Sequence, residues 1–147
     1  MEENGMLFGK EIYLRPMAEE DTDLIVLWRN REFVRRNFIY QKPFTREGHL
    51  KWIHTMVDTG KVVQFMICEK ASKRPVGSVY LRDIDREHKK AEYGVFIGEE
   101  DALGKGYGTE AAGLITAYGF EHLHLLEILL GVVAESARAR QGSEKAG

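Results

Sequence analysis

Apolar and polar positions alternate from Lys10 to Arg15, where Ile12 and Leu14 are set against Glu11, Tyr13 and Arg15, and Pro16 follows. That period of two predicts a first strand ended by the proline. From Asp21 to Asn30 the period lengthens: Leu24, Ile25, Leu27 and Trp28 form a stripe behind an acidic first turn, the signature of a helix. Thr45 is suited to cap a second helix running to about Asp58, with Leu50, Ile53, Met56 and Val57 on one face, Trp52 alongside, and Thr59-Gly60 as its stop. Three apolar runs follow, Val62–Glu69, Val76–Ile84 and Lys90–Ile97, separated by turns at Ala71–Pro75 and Asp85–Lys89. Strands joined by such short turns pair antiparallel.

After a loop from Glu99 to Leu103, a helix over Ala111–Leu123 carries Ala111, Ala112, Leu114, Ile115, Tyr118 and His122 at helical spacing. Glu127–Ala134 reads as a strongly apolar strand and Ser136–Ala146 as a short polar helix. The order β-α-α-β-β-β-α-β-α predicts one domain over residues 1–147, a mixed α/β fold with a mostly antiparallel central sheet flanked by helices. No internal repeat or low-complexity tract interrupts it.

Composition narrows the function classes. The 147 residues suit one domain with a real core, and 44% hydrophobic with 30% charged residues is ordinary for a globular protein. A net charge of -2 argues against a general nucleic-acid binder. The single cysteine, Cys68, lies in an apolar strand pattern and reads as a packing residue in a reducing compartment. No basic-then-apolar leader and no run of membrane-spanning length is visible, so a cytoplasmic protein without membrane or nucleic-acid partners is expected. The five histidines fall in no strong metal spacing and no G-x-S-x-G is present, so neither a metal nor a serine hydrolase is expected.

The chemistry gathers at Gly104-Lys105-Gly106-Tyr107-Gly108-Thr109, between an apolar strand and a helix. Glycines allow a close backbone approach, and the N–H groups of a first helical turn favour an anion, so the stretch is suited to cradle a phosphate. Two common phosphate loops fail on spacing. A dinucleotide fingerprint begun at Gly104 needs a glycine where Thr109 stands, and a P-loop needs one where Glu99 stands. The run Leu103–Ala111, L-G-K-G-Y-G-T-E-A, instead resembles the acetyl-CoA loop of the GNAT superfamily of N-acetyltransferases, usually written Q/R-x-x-G-x-G/A. The branch it is most similar to is that of the ribosomal-protein alanine acetyltransferases, in which an aromatic often stands where this chain has Leu103. The opening I-Y-L-R-P, then E-D and W-R-N, is similar to the same branch.

The resemblance implies a GNAT-like acyl-CoA N-acyltransferase fold and acetyl-CoA as co-substrate. The cofactor loop would begin at Leu103, the pyrophosphate would lie on N–H groups from Gly104 to Thr109, with charge from Lys105, and the pantetheine arm would pair with backbone near Phe96 and Ile97. The reaction itself needs a base to free the attacking amine's lone pair and an N–H donor for the oxyanion. A thiol of pKa roughly 8.5 leaves with little help from an acid. Glu92, which shares a strand face with Gly94 and Phe96, is the candidate base, and related enzymes often place a glutamate there. The plainer alternative is a solvent-facing carboxylate paired with Lys89 or Lys90.

Between Arg29 and Arg46 six cationic side chains stand against Glu32 alone, interleaved with Phe33, Phe38, Tyr40 and Phe44. The segment is either a solvated loop anchored by aromatics or a lip that draws an anionic acceptor, with Trp28, Arg29, Asn30, Arg36, Phe38 and Tyr40 as candidate acceptor contacts. In the family this region walls the acceptor site. Towards the C-terminus the family pattern is approximately A-E-N-x-R-A-x-x-x-Y-E-K-x-G-F, where this chain places Ser136 at the CoA-contacting asparagine and Ser143 at the tyrosine usually invoked as the acid. The chain then stops before the family's last strands, which leaves an exposed sheet edge open to pairing as a homodimer. The expected function is therefore an acetyl-CoA-dependent N-acetyltransferase acting on a primary amine. A protein N-terminus or a nucleotide-linked amino sugar is favoured over a polycation. The alternative is a non-catalytic acyl-CoA-binding or interaction protein of the same fold.

Overall fold

A computed structural model describes residues 2–3, 5–36 and 45–130. Phe38, Tyr40, Ser136 and Ser143 lie outside the described residues, as do the helix expected over Ser136–Ala146 and the far end of the strand expected over Glu127–Ala134. The described chain forms a seven-stranded sheet whose strands follow one another in sequence order. They are β1 (Glu2–Glu3), β2 (Met6–Phe8), β3 (Ile12–Pro16), β4 (Val63–Glu69), β5 (Pro75–Asp85), β6 (Lys90–Ile97) and β7 (Glu127–Leu130). Each neighbouring pair from β1 to β6 is antiparallel, and β7 runs parallel to β6. The β1–β2 hairpin was not foreseen, because three residues around Leu7 are too few to show an alternation.

Four α-helices join the strands: α1 (Thr22–Asn30), α2 (Glu32–Arg35), α3 (Arg46–Trp52) and α4 (Tyr107–His122). β4 and β6 are buried along most of their length, as strands covered on both faces must be. On one face Leu14, Ile67, Val79, Leu81, Tyr93 and Val95 pack with Ala111, Ala112 and Ile115 of α4. On the other, Met66, Cys68 and Phe96 pack with Ile25, Trp28, Val34 and Ile53. The single thiol is a free, buried core residue, as the sequence implied.

The joints explain the boundaries. The carboxylate of Asp21 accepts from the Ala18 N–H at 2.8 Å and from both terminal nitrogens of Arg15, at 2.8 and 2.9 Å, which fixes the entry to α1. Burial opposes that charge, but the guanidinium and the N–H outweigh it and hold the Asp21 carboxyl below its usual range. Thr45 caps α3, its hydroxyl accepting from the Gly48 N–H at 3.0 Å. The helix then widens into a π turn over Ile53–Val57, closed by the Asp58 N–H on the Ile53 carbonyl at 2.8 Å, and Gly60 ends it at φ +81°.

Candidate functional site

β6 ends at Ile97, and the chain passes through Gly98 and a 3₁₀ turn over Glu100–Ala102 into the glycine run. Gly98 is required by packing: a Cβ there would enter the ring of Trp28. Gly104 and Gly106 adopt φ of +78° and +81°, where side-chain-bearing residues are strained. Gly106 is also the cap of α4 and offers no side chain to the first turn. Among the described residues nothing accepts from the N–H groups of Lys105 to Thr109, and a Cβ placed on Gly104, Gly106 or Gly108 would meet no atom within 4 Å. The result is an open stretch of backbone whose N–H donors have no acceptor among the described residues, at the positive end of a helix, with exposed Lys105 beside it.

Two members of the run hold this start in place. The Tyr107 hydroxyl donates to Glu69 on β4 at 3.0 Å, and Glu110 accepts from the N–H groups of Glu11 and Ile12 at 2.9 and 3.2 Å. Tyr107 was expected among the cofactor contacts. Its side chain is instead committed to Glu69, so what it has to offer an anion is its backbone N–H.

The strand before the loop presents an edge. The Gly98 N–H donates to Val76 on β5 at 2.7 Å. Backbone groups of successive strand residues point to alternate edges, so those of Phe96 belong to the β5 ladder, whereas those of Val95 and Ile97 face the β7 side. The described β6–β7 pairing runs only from Lys90–Glu127 to Tyr93–Leu130. Of the expected pair, the backbone groups of Ile97 point to the β7 side and those of Phe96 to β5. Val95 joins Ile97, which the sequence reading missed because the parity of the ladder is not written in residue types.

Glu92 lies on β6 opposite Arg82 of β5 and is about one-third exposed. Its carboxylate is 3.7 Å from the Arg82 Nε, so the cation beside it is Arg82 and not Lys89 or Lys90, the partners the plainer alternative named. The neighbouring Asp83 carboxyl is the main influence raising its pKa; burial adds to this and Arg82 opposes it. Two strand positions further on, the Tyr80 ring lies over Gly94, where a Cβ would come within 2.5 Å of it.

The expected acceptor contacts divide. Trp28 is fully buried, meets Phe96 edge-on with centroids 6.1 Å apart, and donates through Nε1 to Glu99 at 2.8 Å. With no surface to present, it supports the wall and does not touch an acceptor directly, a correction to the sequence reading. Arg29 reaches the site, its guanidinium carbon 5.8 Å from the Phe96 ring centroid. The Asn30 amide donates back to Val26 at 3.0 Å, and Arg36 is exposed after α2. Part of the basic segment is already paired. Arg31 donates to the Gly98 carbonyl at 2.8 Å and to Glu99 at 3.1 Å, and Arg46 bonds Asp23. On the same face a buried relay runs from Trp52 Nε1 to Gln64 at 3.1 Å, from Gln64 to Ser78 at 2.9 Å, and from Ser78 to the Phe65 carbonyl at 2.8 Å.

Among the described residues no cluster of His, Cys, Asp and Glu is arranged to hold a metal, and no helix is long and apolar enough to cross a membrane. The family model described as "Acetyltransferase (GNAT) domain" matches residues 11–147. The probable N-acetyltransferase YjcK of Bacillus subtilis is 30% identical over 97% of this chain and 82% of its own length. The spermidine N(1)-acetyltransferase of Vibrio cholerae is 24% identical over 95% of this chain and 79% of its own. A crystal structure of spermidine N-acetyltransferase from Vibrio cholerae, in complex with CoA and spermine, superposes with a TM-score of 0.78 at 20% identity. It covers 93% of this chain and 80% of that one, a likeness of fold. The mixed sheet, the uncapped glycine start of α4 and the family match agree, and the chain belongs to the GNAT acetyltransferases, acyltransferases that take their acetyl group from acetyl-CoA.

Proposed function

We propose that the acceptor is the primary amine of a small molecule, and that Glu92 takes its proton. The carrying observation is the Glu92 carboxyl, held on β6 with a raised pKa, on the strand whose far end opens into the uncapped first turn of α4. In this reading the N–H groups of Lys105 to Thr109 hold the pyrophosphate of acetyl-CoA, and the outward backbone of Val95 and Ile97 aligns the thioester. The amine nitrogen attacks the thioester carbonyl, its proton passes to Glu92, and an N–H on the β6 edge stabilises the oxyanion. The C–S bond then breaks and the thiolate, of ordinary pKa roughly 8.5, takes up a proton. Ser143 and Ser136 are not required for these steps.

A small amine is favoured over a protein N-terminus by the likeness to the spermidine acetyltransferase. It is also favoured by the pairing of Arg31 and Arg46, which removes part of the positive charge that pointed to an anion. An anionic amino sugar remains the second reading, because Arg29 faces Phe96.

The test is thiol release from acetyl-CoA with three acceptors: spermidine, a nucleotide-linked amino sugar and a peptide with a free N-terminal alanine. Turnover with spermidine above the other two is expected. Glu92→Gln should lower kcat by roughly 10²–10⁴-fold with little change in CoA binding. Turnover confined to the peptide would overturn the small-molecule reading, and an unchanged kcat in Glu92→Gln would overturn the base.

A further inference from the structure

β5 and β6 pair residue for residue from Gly77–Ile97 to Arg82–Glu92, and then the register slips, so that the next pair is Asp85–Lys90. Asp83 and Ile84 together oppose Ala91, the two-against-one arrangement of a β-bulge. In a regular strand Asp83 would point to the face opposite Arg82 and away from Glu92. At the bulge its φ is +52°, left-handed and uncommon for a residue other than glycine, and the side chain comes round to the Arg82–Glu92 pair. The Arg82 Nε then lies 4.0 Å from the Asp83 carboxylate and 3.7 Å from that of Glu92. On β7 the residue opposite Glu92 is Leu129, so Arg82 and Asp83 are the charged groups that act on Glu92 among the described residues.

We propose that Asp83 is a positioning residue for Glu92: the bulge turns its carboxylate onto the Arg82–Glu92 pair, and this second negative charge readies Glu92 to take a proton from the acceptor amine. The proposal rests on the reading of Glu92 as the base. Two carboxylates gathered on one guanidinium repel each other, which favours a proton on Glu92, and the raised Glu92 pKa has the Asp83 carboxyl as its first cause. Arg82 opposes this by favouring the charged carboxylates. A proton taken from the amine nitrogen rests on this pair and leaves to water with the product.

The experiment is a titration of the whole chain labelled with carboxyl-¹³C glutamate, the Glu92 signal being identified by its loss in Glu92→Gln. It is run beside the pH dependence of kcat/KM, in the chain and in Asp83→Asn. Asparagine tolerates the left-handed backbone, and Asp83→Gly, which relaxes it, serves if the first variant melts early. Expected are a Glu92 midpoint above the ordinary glutamate value in the chain and a lower one in the variant. The acid limb of the rate profile should move down by the same amount, and Asp83→Glu should restore part of it. A Glu92 midpoint that does not fall in Asp83→Asn overturns the role of Asp83 alone. A midpoint that falls while the acid limb stays put overturns Glu92 as the base, and the role of Asp83 with it.

Discussion

Gly108→Glu separates what the glycine run does for the fold from what it does for the ligand. Gly108 is the second residue of α4, and its Cβ would have no atom of the described residues within 4 Å. Its φ is not in the left-handed region, unlike those of Gly104 and Gly106. A side chain there creates no clash and no backbone strain. Replacing a helical glycine gains about 0.5–1 kcal/mol. A carboxylate in the first turn adds about 0.3–1 kcal/mol by meeting the helix dipole. The sum is about 1–2 kcal/mol, or about 2–8 °C in Tm for a chain of this size. The same carboxylate occupies the space and the N–H groups proposed for the pyrophosphate, so it should block CoA by charge and by volume. Thermal melting of the ligand-free protein and calorimetric titration with acetyl-CoA read the two effects apart. The expected outcome is a higher melting temperature together with lost binding. Undiminished affinity would refute the placement of the pyrophosphate, and a melting temperature lowered by several degrees would refute the open geometry of this turn.

Gly98→Ala should show the opposite kind of glycine, since its methyl would enter the fully buried Trp28 ring; the expected loss is about 1–3 kcal/mol, read as a lower denaturant midpoint at unchanged slope. His49 is buried beside Thr22, its ring nitrogen 3.0 Å from the hydroxyl, and burial first, then Arg29, lowers its pKa to about 4. The folded chain therefore binds fewer protons than the unfolded one between the ordinary histidine value and about 4, so stability should fall as pH drops through that window. His49→Gln should flatten that slope in denaturant titrations repeated across pH, and an unchanged slope would place the effect elsewhere.

Most of the sheet was legible because its signal is local. Lys90–Ile97 is found with the bounds its apolar run predicted, and the antiparallel order follows from turns too short for anything else. The loop was legible because each of Gly104 and Gly106 has a backbone reason to be glycine. What escaped is what depends on the third dimension. Trp28 sits in an amphipathic stripe beside Arg29, and nothing in that spacing says that its indole turns inward to Glu99, 71 residues away. Glu92 was correctly separated from the Tyr93 face, but its partner Arg82 is set by the β5–β6 register, which lysines nearby in sequence concealed. Asp83 could not have been found at all: its importance comes from a bulge, and an aspartate before an isoleucine carries no mark of one.

The basic segment shows how a charge count misleads when its partners lie elsewhere in the chain. Counted between Arg29 and Arg46 it is an excess of positive charge facing an acceptor. In the fold, Arg31 reaches Glu99, at the threshold of the glycine loop, and Arg46 reaches Asp23 on α1. Neither acid is inside the counted window. Arg31 also bonds the Gly98 carbonyl, and Trp28 places its N–H on the same Glu99, so the end of α1 is fastened to the chain that leads from β6 into the glycine run. Burial raises the Glu99 pKa, yet the indole N–H and the guanidinium outweigh it and keep the carboxylate charged. A cation counted as part of the lure for an anionic substrate is thus a strut between the end of α1 and the chain that leaves β6.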